Sequence, residues 1–375
     1  MENNPIEQNA FDETMMRRAL ELARRGAGFV SPNPLVGAVI ARRDRHVIGE
    51  GWHERFGGPH AEIRALEAAR GREMDGATLY VTLEPCNHHG KTPPCTEAIL
   101  AAGIRRVIVA MRDPNPVVSG KGSKRLREAG IEVIEGVMEK EAQRLNEGYI
   151  HYITTNRPFT TVKMAQTLDG FIALPSGESQ WITGELAREK VHQLRAASDA
   201  VMVGARTAEK DDPSLTVRYG VQGRNPLRVV LDETLSLPAG LKLFTDAERE
   251  RTVVFTTIAH ATGERADELR HAGVGVYGIA VSEGILDLGE AMHILAELGV
   301  ATLLVEGGAT LVGSVIERDL AQKIVIFVAP KLFGHGVKGF TGPVVNELAA
   351  AHRVDIYRTE MVGEDVMITA YWHKA

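Results

Sequence analysis

Apolar residues in the first half of the chain follow helical and strand spacings in alternation. Residues 12–25 carry apolar side chains three and four positions apart, which predicts an amphipathic helix. Short apolar runs between turn residues predict buried strands. The strands predicted here span 35–41, 77–83, 106–111 and 131–136, and further helices span 61–70, 96–102 and 122–129. This alternation predicts an α/β sandwich with a largely parallel or mixed sheet.

A loop signal interrupts the pattern near residue 155. The segment Thr155-Asn156-Arg157-Pro158 has the composition of a loop, and Pro158 would stop a helix. Beyond it the alternation resumes, with predicted strands at 159–165, 200–204, 227–232, 252–257 and 302–305 and helices at 185–197, 285–298 and 309–318. We therefore expect two domains, residues 1–155 and 156–375, for which a chain of 375 residues is long enough.

Composition and charge narrow the class of protein. The chain is 44% hydrophobic and 25% charged, with a formal net charge of −6. An acidic balance argues against a nucleic-acid binder, which is usually basic. No apolar run approaches the roughly 20 residues that span a membrane, and the polar N-terminus lacks the apolar region of a signal peptide. We expect a cytoplasmic protein that works away from membranes.

The two cysteines of the chain, Cys86 and Cys95, lie in one short stretch downstream of His60-Ala61-Glu62. Zinc deaminases carry a His-x-Glu followed by a Pro-Cys motif. One imidazole and two thiolates balance the charge of Zn²⁺ and leave a fourth position for water, whose pKa the metal lowers toward about 7. We therefore predict His60, Cys86 and Cys95 as zinc ligands and Glu62 as the catalytic residue that moves protons.

Alternatives to this metal site stay open on the residues alone. Eight residues separate the two cysteines, where the general signature has two. The pair could form a disulfide, or be two buried thiols near an ordinary surface histidine. His88 or His89 could also serve as a ligand. The neighbouring Pro85 and the upstream His-x-Glu favour the zinc site.

Glycine-rich stretches in the second half offer two matches to a dinucleotide-binding fingerprint, at 273–278 and 334–339. That fingerprint must follow a strand and open a helix, which neither context satisfies. The stretch Glu306-Gly307-Gly308 has a better context, because a predicted strand precedes it and a predicted helix follows. Backbone N–H groups at that helix start could bind a cofactor phosphate. A bare Gly-Gly turn is the alternative interpretation.

The stretch from Thr82 to Cys95 closely resembles the bifunctional deaminase–reductase family of riboflavin biosynthesis, in which the longer gap between the cysteines is normal. The resemblance runs in order along almost the whole chain and includes both halves. Further matching stretches are 32–37, 113–116, 168–170, 177–183, 192–196, 211–213 and 305–309.

The resemblance implies a cytidine-deaminase-like α/β/α sandwich followed by a dihydrofolate-reductase-like domain. The first domain would use Zn²⁺ to hydrolyse the 2-amino group of a diaminopyrimidinone ribosylamine 5′-phosphate. The second would use NADPH to reduce the ribosyl group of the deaminated product to ribityl. The implied partners are this phosphorylated pyrimidine and other copies of the same chain, with no nucleic acid.

The resemblance also implies which residues line the deaminase pocket. Amides and a carboxylate can read ring and ribose groups, and a lysine can meet phosphate. The implied substrate-binding residues are Asn33, His53, Lys91, Asp113 and Asn115. Asn33 and Asn115 lie beside prolines, so ordinary turn chemistry is the alternative for both.

For the reductase, the resemblance implies two further sets of residues. Those implied to contact NADPH are Ala165, Trp181, Thr207, Asp211, Gly308, Ala309, Thr310, Leu311, Val312, Gly313 and Ser314. Those implied to contact substrate are Lys163, Ser179, Arg195, Leu215, Arg218 and Glu306. The two arginines suit a ribose phosphate because a guanidinium binds phosphate bidentately, although each alone could be a solvated surface charge. Lys163 and Asp211 are both candidates for proton transfer.

Two other functions compete with this one. A zinc deaminase acting on nucleosides or tRNA is disfavoured by the acidic balance and by the reductase-like stretches. A zinc-stabilised scaffold protein would normally hold its metal with four protein ligands, whereas only three stand out here. A scaffold would also give Glu62 no purpose.

Overall fold

The computed structural model describes residues 5–88, 93–116, 118–342 and 347–372. In the first part of the chain the strands are β1 (Gly37–Ala41), β2 (Val47–Trp52), β3 (Thr78–Leu83), β4 (Arg106–Met111) and β5 (Glu132–Glu135). The helices are α1 (Pro5–Arg24), α2 (Ala61–Ala68), α3 (Cys95–Ala101), α4 (Lys121–Glu128), α5 (Glu139–Leu145) and α6 (Glu147–Thr155). By its internal contacts the chain divides into two units, Met1–Asn156 and Arg157–Ala375.

The first unit is built on a mixed sheet in the order β2-β1-β3-β4-β5. β1 pairs antiparallel with β2 and β3, whereas β3, β4 and β5 run parallel. The residues of β1 are all buried, as expected of a strand covered on both faces. α2 lies close against β2, because a Cβ at Gly51 would come within 2.5 Å of Ala65 N. This close approach fixes the start of α2, where His60 and Glu62 lie.

The second unit contains more strands than helices. Its strands are β6 (Phe159–Thr167), β7 (Phe171–Ala173), β8 (Ala200–Gly204), β9 (Leu227–Leu231), β10 (Thr252–Thr257), β11 (Gly275–Ile279), β12 (Val281–Ser282), β13 (Ile285–Leu286), β14 (Thr302–Gly307), β15 (Lys323–Ala329), β16 (Val337–Lys338), β17 (Val354–Val362) and β18 (Asp365–Trp372). Its α-helices are α7 (Glu185–Ala197), α8 (Ala205–Asp211), α9 (Lys242–Thr245), α10 (Glu264–His271), α11 (Leu288–Glu297) and α12 (Ala309–Glu317).

A nine-stranded sheet forms the centre of the second unit, in the order β11-β10-β9-β8-β14-β6-β15-β18-β17. The strands from β11 to β15 in this order are parallel, and β18 and β17 add an antiparallel edge. Apolar side chains of β6, β8 and β14 pack with α11 and α12 in one buried cluster. The carboxyl ends of the central parallel strands are therefore held rigidly, which matters because β14 ends at the Glu306-Gly307 pair.

The predicted alternation of helices and strands is confirmed, with informative differences at element ends. The first strand begins at Gly37 rather than residue 35, because the backbone N–H and C=O of Leu35 are bonded to the side chain of Asn146. The helix predicted from residue 285 begins at Leu288, where the Asp287 side chain caps it by accepting from Glu290 N. The strands β15, β17 and β18 and the helices α5 and α6 were not predicted. β2 was also not predicted, since its two glycines hide the strand pattern.

Among the helices of the described residues, none combines the length and the apolar character that crossing a membrane requires.

Candidate active sites

Three metal-binding side chains from separate elements meet in the first unit. His60 precedes α2, Cys86 follows β3, and Cys95 opens α3. Their ligand atoms all lie within 4.8 Å of one another. His60 Nδ1 lies 3.3 Å from Cys95 Sγ and 3.5 Å from Cys86 Sγ. The three residues predicted as zinc ligands therefore form one cluster.

Protons are shared unevenly within this cluster. Hydrogen bonds from the Cys95 thiol and from His60 hold the pKa of Cys86 well below its usual range. The hydrogen bond to Cys86, together with burial, raises the pKa of the Cys95 thiol. The backbone N–H of Cys95, at the start of α3, also donates to Cys86 Sγ over 3.4 Å. The fold thus favours a thiolate at this position.

The donor set fits zinc. Neighbouring thiols and an imidazole compete for protons, and a divalent cation replaces those protons when it binds. Two thiolates and one imidazole are the ligands of catalytic zinc sites that keep a fourth position open. Both cysteines are free rather than joined in a disulfide. Of the alternative ligands, His88 is exposed, and His89 lies outside the described residues.

Glu62 lies in the first turn of α2, two residues after His60, and is almost fully buried. Burial raises the pKa of Glu62 to about 7. A carboxyl group with a pKa near neutrality can both accept and release a proton under working conditions. The position and environment of Glu62 match the proton-transfer role predicted for it.

Asn33 and His53 meet on one side of this cluster. Asn33 Nδ2 lies 3.2 Å from His53 Nε2, and His53 Nδ1 lies 3.1 Å from the carbonyl oxygen of Pro59. Because a carbonyl only accepts, Nδ1 carries the proton and Nε2 accepts from Asn33. Burial lowers the pKa of His53, so the ring stays neutral. Its edge faces His60, with ring centroids 5.6 Å apart.

Two further predicted substrate residues, Asp113 and Asn115, lie on the loop after β4. Asp113 is buried, and its Oδ1 accepts from Asn115 N and from the Tyr149 hydroxyl, each at 2.9 Å. Burial raises the pKa of Asp113. Lys91, the predicted phosphate contact, lies outside the described residues.

Glu84 supports this loop and was missing from the predicted site. Its buried carboxylate accepts hydrogen bonds from backbone N–H groups, which belong to Asp113, Gly120, Gly122 and Ser123 at distances of 3.4, 2.9, 2.9 and 3.1 Å. The last three groups open α4, which has no capping side chain of its own. Glu84 therefore caps α4 from a distant strand. The only sequence signal was an acidic residue just before Pro85-Cys86.

The predicted reductase residues gather around one cavity of about 1160 Å³ in the second unit. Pockets for one small ligand usually measure about 300–1,000 Å³, so this cavity has room for more than one. Its lining includes all the predicted reductase residues except Gly313. Gly313 instead packs against the loop after β16, since a Cβ there would come within 1.6 Å of Thr341 O.

A buried ion cluster lies in the cavity wall. Glu306, near the end of β14, binds Arg195 of α7 bidentately at 2.6 and 2.9 Å, and Lys163 Nζ of β6 lies 3.5 Å away. Burial opposes ionisation of Glu306, but the charges of Arg195 and Lys163 prevail and lower its pKa to about 2. Two nitrogens of the Arg195 guanidinium bond Glu306 in this structure, and the predicted substrate contact of Arg195 stays a prediction.

Arg218 is the other arginine predicted to contact the substrate phosphate. It lines the same cavity and is exposed, and its guanidinium has no ion-pair partner among the residues that the structure describes. Leu215, also predicted to contact substrate, is buried with a left-handed φ of 51°. Such a conformation is uncommon for leucine and is found where surrounding structure enforces it.

The start of α12 fits a cofactor phosphate. Gly308 precedes the helix in extended conformation, and a Cβ there would come within 3.0 Å of Thr207 Oγ1. A side chain would thus fill the space beside the first N–H groups of the helix, which carry no intrahelical partners. The two glycine-rich fingerprints differ from this arrangement, since residues 273–278 run from α10 into β11 and residues 334–339 contain the short strand β16.

His192 is a cavity residue whose role was not predicted. Its Nδ1 accepts from Arg218 N at 3.0 Å, and its ring lies 4.9 Å from that of Tyr219. Burial, followed by the charge of Arg195, lowers the pKa of His192 to about 4. Because Nδ1 accepts, Nε2 of the neutral ring carries the proton. The sequence signal was its place in the stretch 192–196, three residues before Arg195.

Comparison with known families assigns both units. A family model described as "Cytidine and deoxycytidylate deaminase zinc-binding region" matches residues 9–111. A second, described as "RibD C-terminal domain", matches residues 158–368. The chain thus combines a cytidine-deaminase-like region with a reductase domain of the dihydrofolate-reductase-like class, as the sequence predicted.

Full-length relatives share both regions. Riboflavin biosynthesis protein RibD of Aquifex aeolicus is 44% identical over 358 residues, which cover 95% of this chain and 97% of that protein. A solved diaminohydroxyphosphoribosylaminopyrimidine deaminase/5-amino-6-(5-phosphoribosylamino)uracil reductase from Thermotoga maritima is 41% identical, with a TM-score of 0.87 and coverage of 98% of this chain and 100% of that one. RibD of Acinetobacter baumannii is 36% identical, with a TM-score of 0.88 and the same coverage. The chain belongs to the family of bifunctional riboflavin biosynthesis deaminase–reductases, with zinc and NADPH as its cofactors.

Proposed function

We propose that the two units catalyse consecutive steps on one phosphorylated pyrimidine. The first unit hydrolyses the 2-amino group of 2,5-diamino-6-ribosylamino-4(3H)-pyrimidinone 5′-phosphate. The second uses NADPH to reduce the ribosyl group and gives 5-amino-6-ribitylaminouracil 5′-phosphate. One observation carries the proposal: a three-donor metal cluster beside the buried Glu62 and a cavity around Glu306 occur in the same chain.

In the deaminase step, we assign His60, Cys86 and Cys95 to hold zinc. Zinc, when bound, supplies a lowered pKa for a coordinated water. Glu62 takes a proton from the attacking water and passes it to the departing amino nitrogen, so that ammonia leaves as the ring carbon gains oxygen.

Substrate orientation in the first unit rests on neutral and acidic groups at fixed positions. The amide of Asn33 is tied to the His53 ring, which burial keeps neutral. The carboxyl group of Asp113 is held by Asn115 N. Groups held this way can recognise the amino and carbonyl edges of a pyrimidine and the hydroxyls of its sugar. We assign the ring and ribose contacts to these four residues.

In the reductase step, we assign the substrate phosphate to Arg218 and the cofactor to the start of α12. NADPH, when bound, supplies the hydride. Lys163 is the proton donor we favour over Asp211, because its ammonium group lies 3.5 Å from the buried Glu306 carboxylate in the cavity wall. The Glu306 carboxylate orients the Lys163 side chain, whereas Asp211 lines the α8 side of the cavity near Thr207.

A product assay tests the order of the two steps. Purified protein is incubated with the diaminopyrimidinone phosphate, with and without NADPH, and ammonia, NADPH oxidation and products are followed. Without NADPH we expect ammonia and the ribosylaminouracil phosphate, and with NADPH the ribityl product. NADPH oxidation without ammonia release, or no reaction with either mixture, would reject the proposal.

We also propose that copies of the chain associate through β17. This strand lies at the edge of the nine-stranded sheet, and its apolar side chains include Ile356 and Met361, which are 67% and 66% exposed. Exposed apolar edge strands pair readily with other strands, and two copies of β17 could extend one continuous sheet. Light scattering tests this proposal, since Ile356→Lys should yield a smaller species than the parent protein.

Two further assignments, the cellular location and the class of substrate, rest on composition and thiol chemistry. Both cysteines are free thiols, which a reducing compartment preserves, so we place the enzyme in the cytoplasm. A net charge of −6 favours a small phosphorylated substrate over a nucleic acid.

A further inference from the structure

The last helix of the first unit contacts both loops of the candidate deaminase pocket. This helix, α6, spans Glu147–Thr155 and is preceded by Asn146. It lies beyond the zinc-binding deaminase region, which ends at residue 111. Residues that shape the pocket therefore come from a part of the chain that the general deaminase pattern does not include.

Asn146 holds the first loop. Its Oδ1 accepts from Leu35 N at 2.8 Å, and its Nδ2 donates to Leu35 O at 2.9 Å. Asn146 is 2% exposed, and although it occupies the cap position of α6, its side chain makes no cap hydrogen bond. An asparagine at that position usually caps its own helix. Here the side chain of Asn146 bonds the loop instead. Leu35 lies two residues after Asn33.

Tyr149 holds the second loop. Its hydroxyl donates to Asp113 Oδ1 at 2.9 Å, the same oxygen that accepts from Asn115 N. Asp113 is 7% exposed, and a buried carboxylate with two fixed donors on one oxygen has a single favoured orientation. Tyr149 therefore fixes the direction in which the second carboxylate oxygen of Asp113 points.

The two contacts come from one face of one rigid element. Asn146 and Tyr149 are three positions apart, which places them on the same side of the first helical turn. Any change in the position of this turn would move both loops together. The start of α6 thus links the loop that carries Asn33 to the loop that carries Asp113.

We propose that Asn146 and Tyr149 are positioning residues that set the spacing of the two substrate loops and hence the affinity of the deaminase for its pyrimidine phosphate. The proposal rests on the deaminase function proposed above. Neither residue touches the reacting atoms; each acts through the loop that it holds. Their loss should therefore weaken substrate binding more than it slows the chemical step.

Steady-state kinetics of Tyr149→Phe and Asn146→Asp in the full-length zinc-loaded enzyme test the proposal. Phenylalanine removes only the hydroxyl, and aspartate keeps the acceptor for Leu35 N but sets an oxygen against Leu35 O. We expect KM for deamination to rise about tenfold in each variant, with kcat changed less than about twofold. Zinc content and reduction of supplied deaminated intermediate should stay at parent values.

A double-mutant cycle with Asp113→Asn separates positioning from general stability. If Tyr149 acts through Asp113, Tyr149→Phe should add little to the effect of Asp113→Asn. Thr155→Val on the same helix is the matched control, because its hydroxyl donates to His151 O within α6. This control should leave KM unchanged.

Three results would overturn the inference: parent KM values in both variants, additive effects in the cycle, or loss of zinc in both variants in place of a KM change. An inactive parent enzyme would instead reject the proposed deaminase function itself. The two failures are therefore distinguishable in one set of measurements.

Discussion

The first unit brings one imidazole and two thiols together at His60, Cys86 and Cys95, whereas the second unit buries Glu306 between Arg195 and Lys163. The deaminase cluster is left to share protons, so its charge is settled only when a cation binds. In the reductase cluster the protein itself supplies both cationic partners of the single Glu306 carboxylate. In the metal site the donor side chains compete for protons until a cation binds. In the site for an organic cofactor the buried carboxylate already forms ion pairs within the protein.

The largest expected effect comes from Glu62→Gln, which removes proton transfer but keeps the shape of the side chain. Deamination should fall by about 10²- to 10⁴-fold, the usual contribution of a positioned acid–base group. Metal analysis should show zinc still bound, and reduction of supplied intermediate should continue. Glu67→Gln, an exposed exchange on the same helix, is the control and should retain activity. Loss of both activities in a folded Glu62→Gln protein would break the separation of the two sites.

Glu306→Leu should act on the second unit alone. It leaves the buried Arg195 and the nearby Lys163 without their carboxylate, and breaking a buried pair costs about 3–5 kcal/mol. Calorimetry should show the unfolding transition of the second unit shifted to lower temperature and reduction lost, with deamination intact. Glu306→Gln retains hydrogen-bonding capacity and should cost less. An equal shift in the first unit would contradict the comparison.

Glu84→Gln should destabilise the first unit by about 1–3 kcal/mol, because an amide N–H₂ would face backbone N–H donors that now bond a carboxylate. Thermal unfolding followed by zinc release reports this change. Glu97→Gln provides the control, since Glu97 pairs with Arg125 at the surface and such pairs contribute little. Equal melting temperatures for the parent and Glu84→Gln would show that α4 does not depend on this cap.

The smallest effect concerns His192 and pH. Its folded pKa of about 4 lies below the ordinary value of 6.5, so the neutral ring contributes stability that is complete above pH 6.5. That contribution is lost as pH falls from 6.5 toward 4. His192→Asn keeps an acceptor for Arg218 N but cannot titrate. Between pH 7 and pH 5, its second unit should lose a few degrees less in melting temperature than the parent. An identical pH dependence of the melting temperature in the parent and the variant would reject this role of His192.

Local patterns in the sequence predicted the zinc donors and many of the helices and strands, but not α5, α6, β15, β17 or β18. His60, Glu62 and Cys86 lie next to element ends that periodicity and turn residues mark. The residue types of the zinc motif determine its chemistry, so His60, Cys86 and Cys95 could be predicted as ligands without knowledge of the fold.

Contacts between distant residues could not be predicted in this way. Arg195 pairs with Glu306 across 111 positions. Asn146 and Leu35 are equally far apart, and nothing in their local sequence marks the bond. β2 was not predicted, because Gly49 and Gly51 allow the close approach of α2 and have a low propensity for strands.

The bonds made by α6 limit how this gene could be divided during evolution. A descendant that kept only the zinc motif, up to residue 111, would lose the Asn146 side chain that holds Leu35, and it would lose Asp113 together with its partner Tyr149. A single-function deaminase cut from this chain must therefore extend through Thr155, or replace the helix with another support. Fission points for such an enzyme lie after the helix, in the short loop that begins at Asn156.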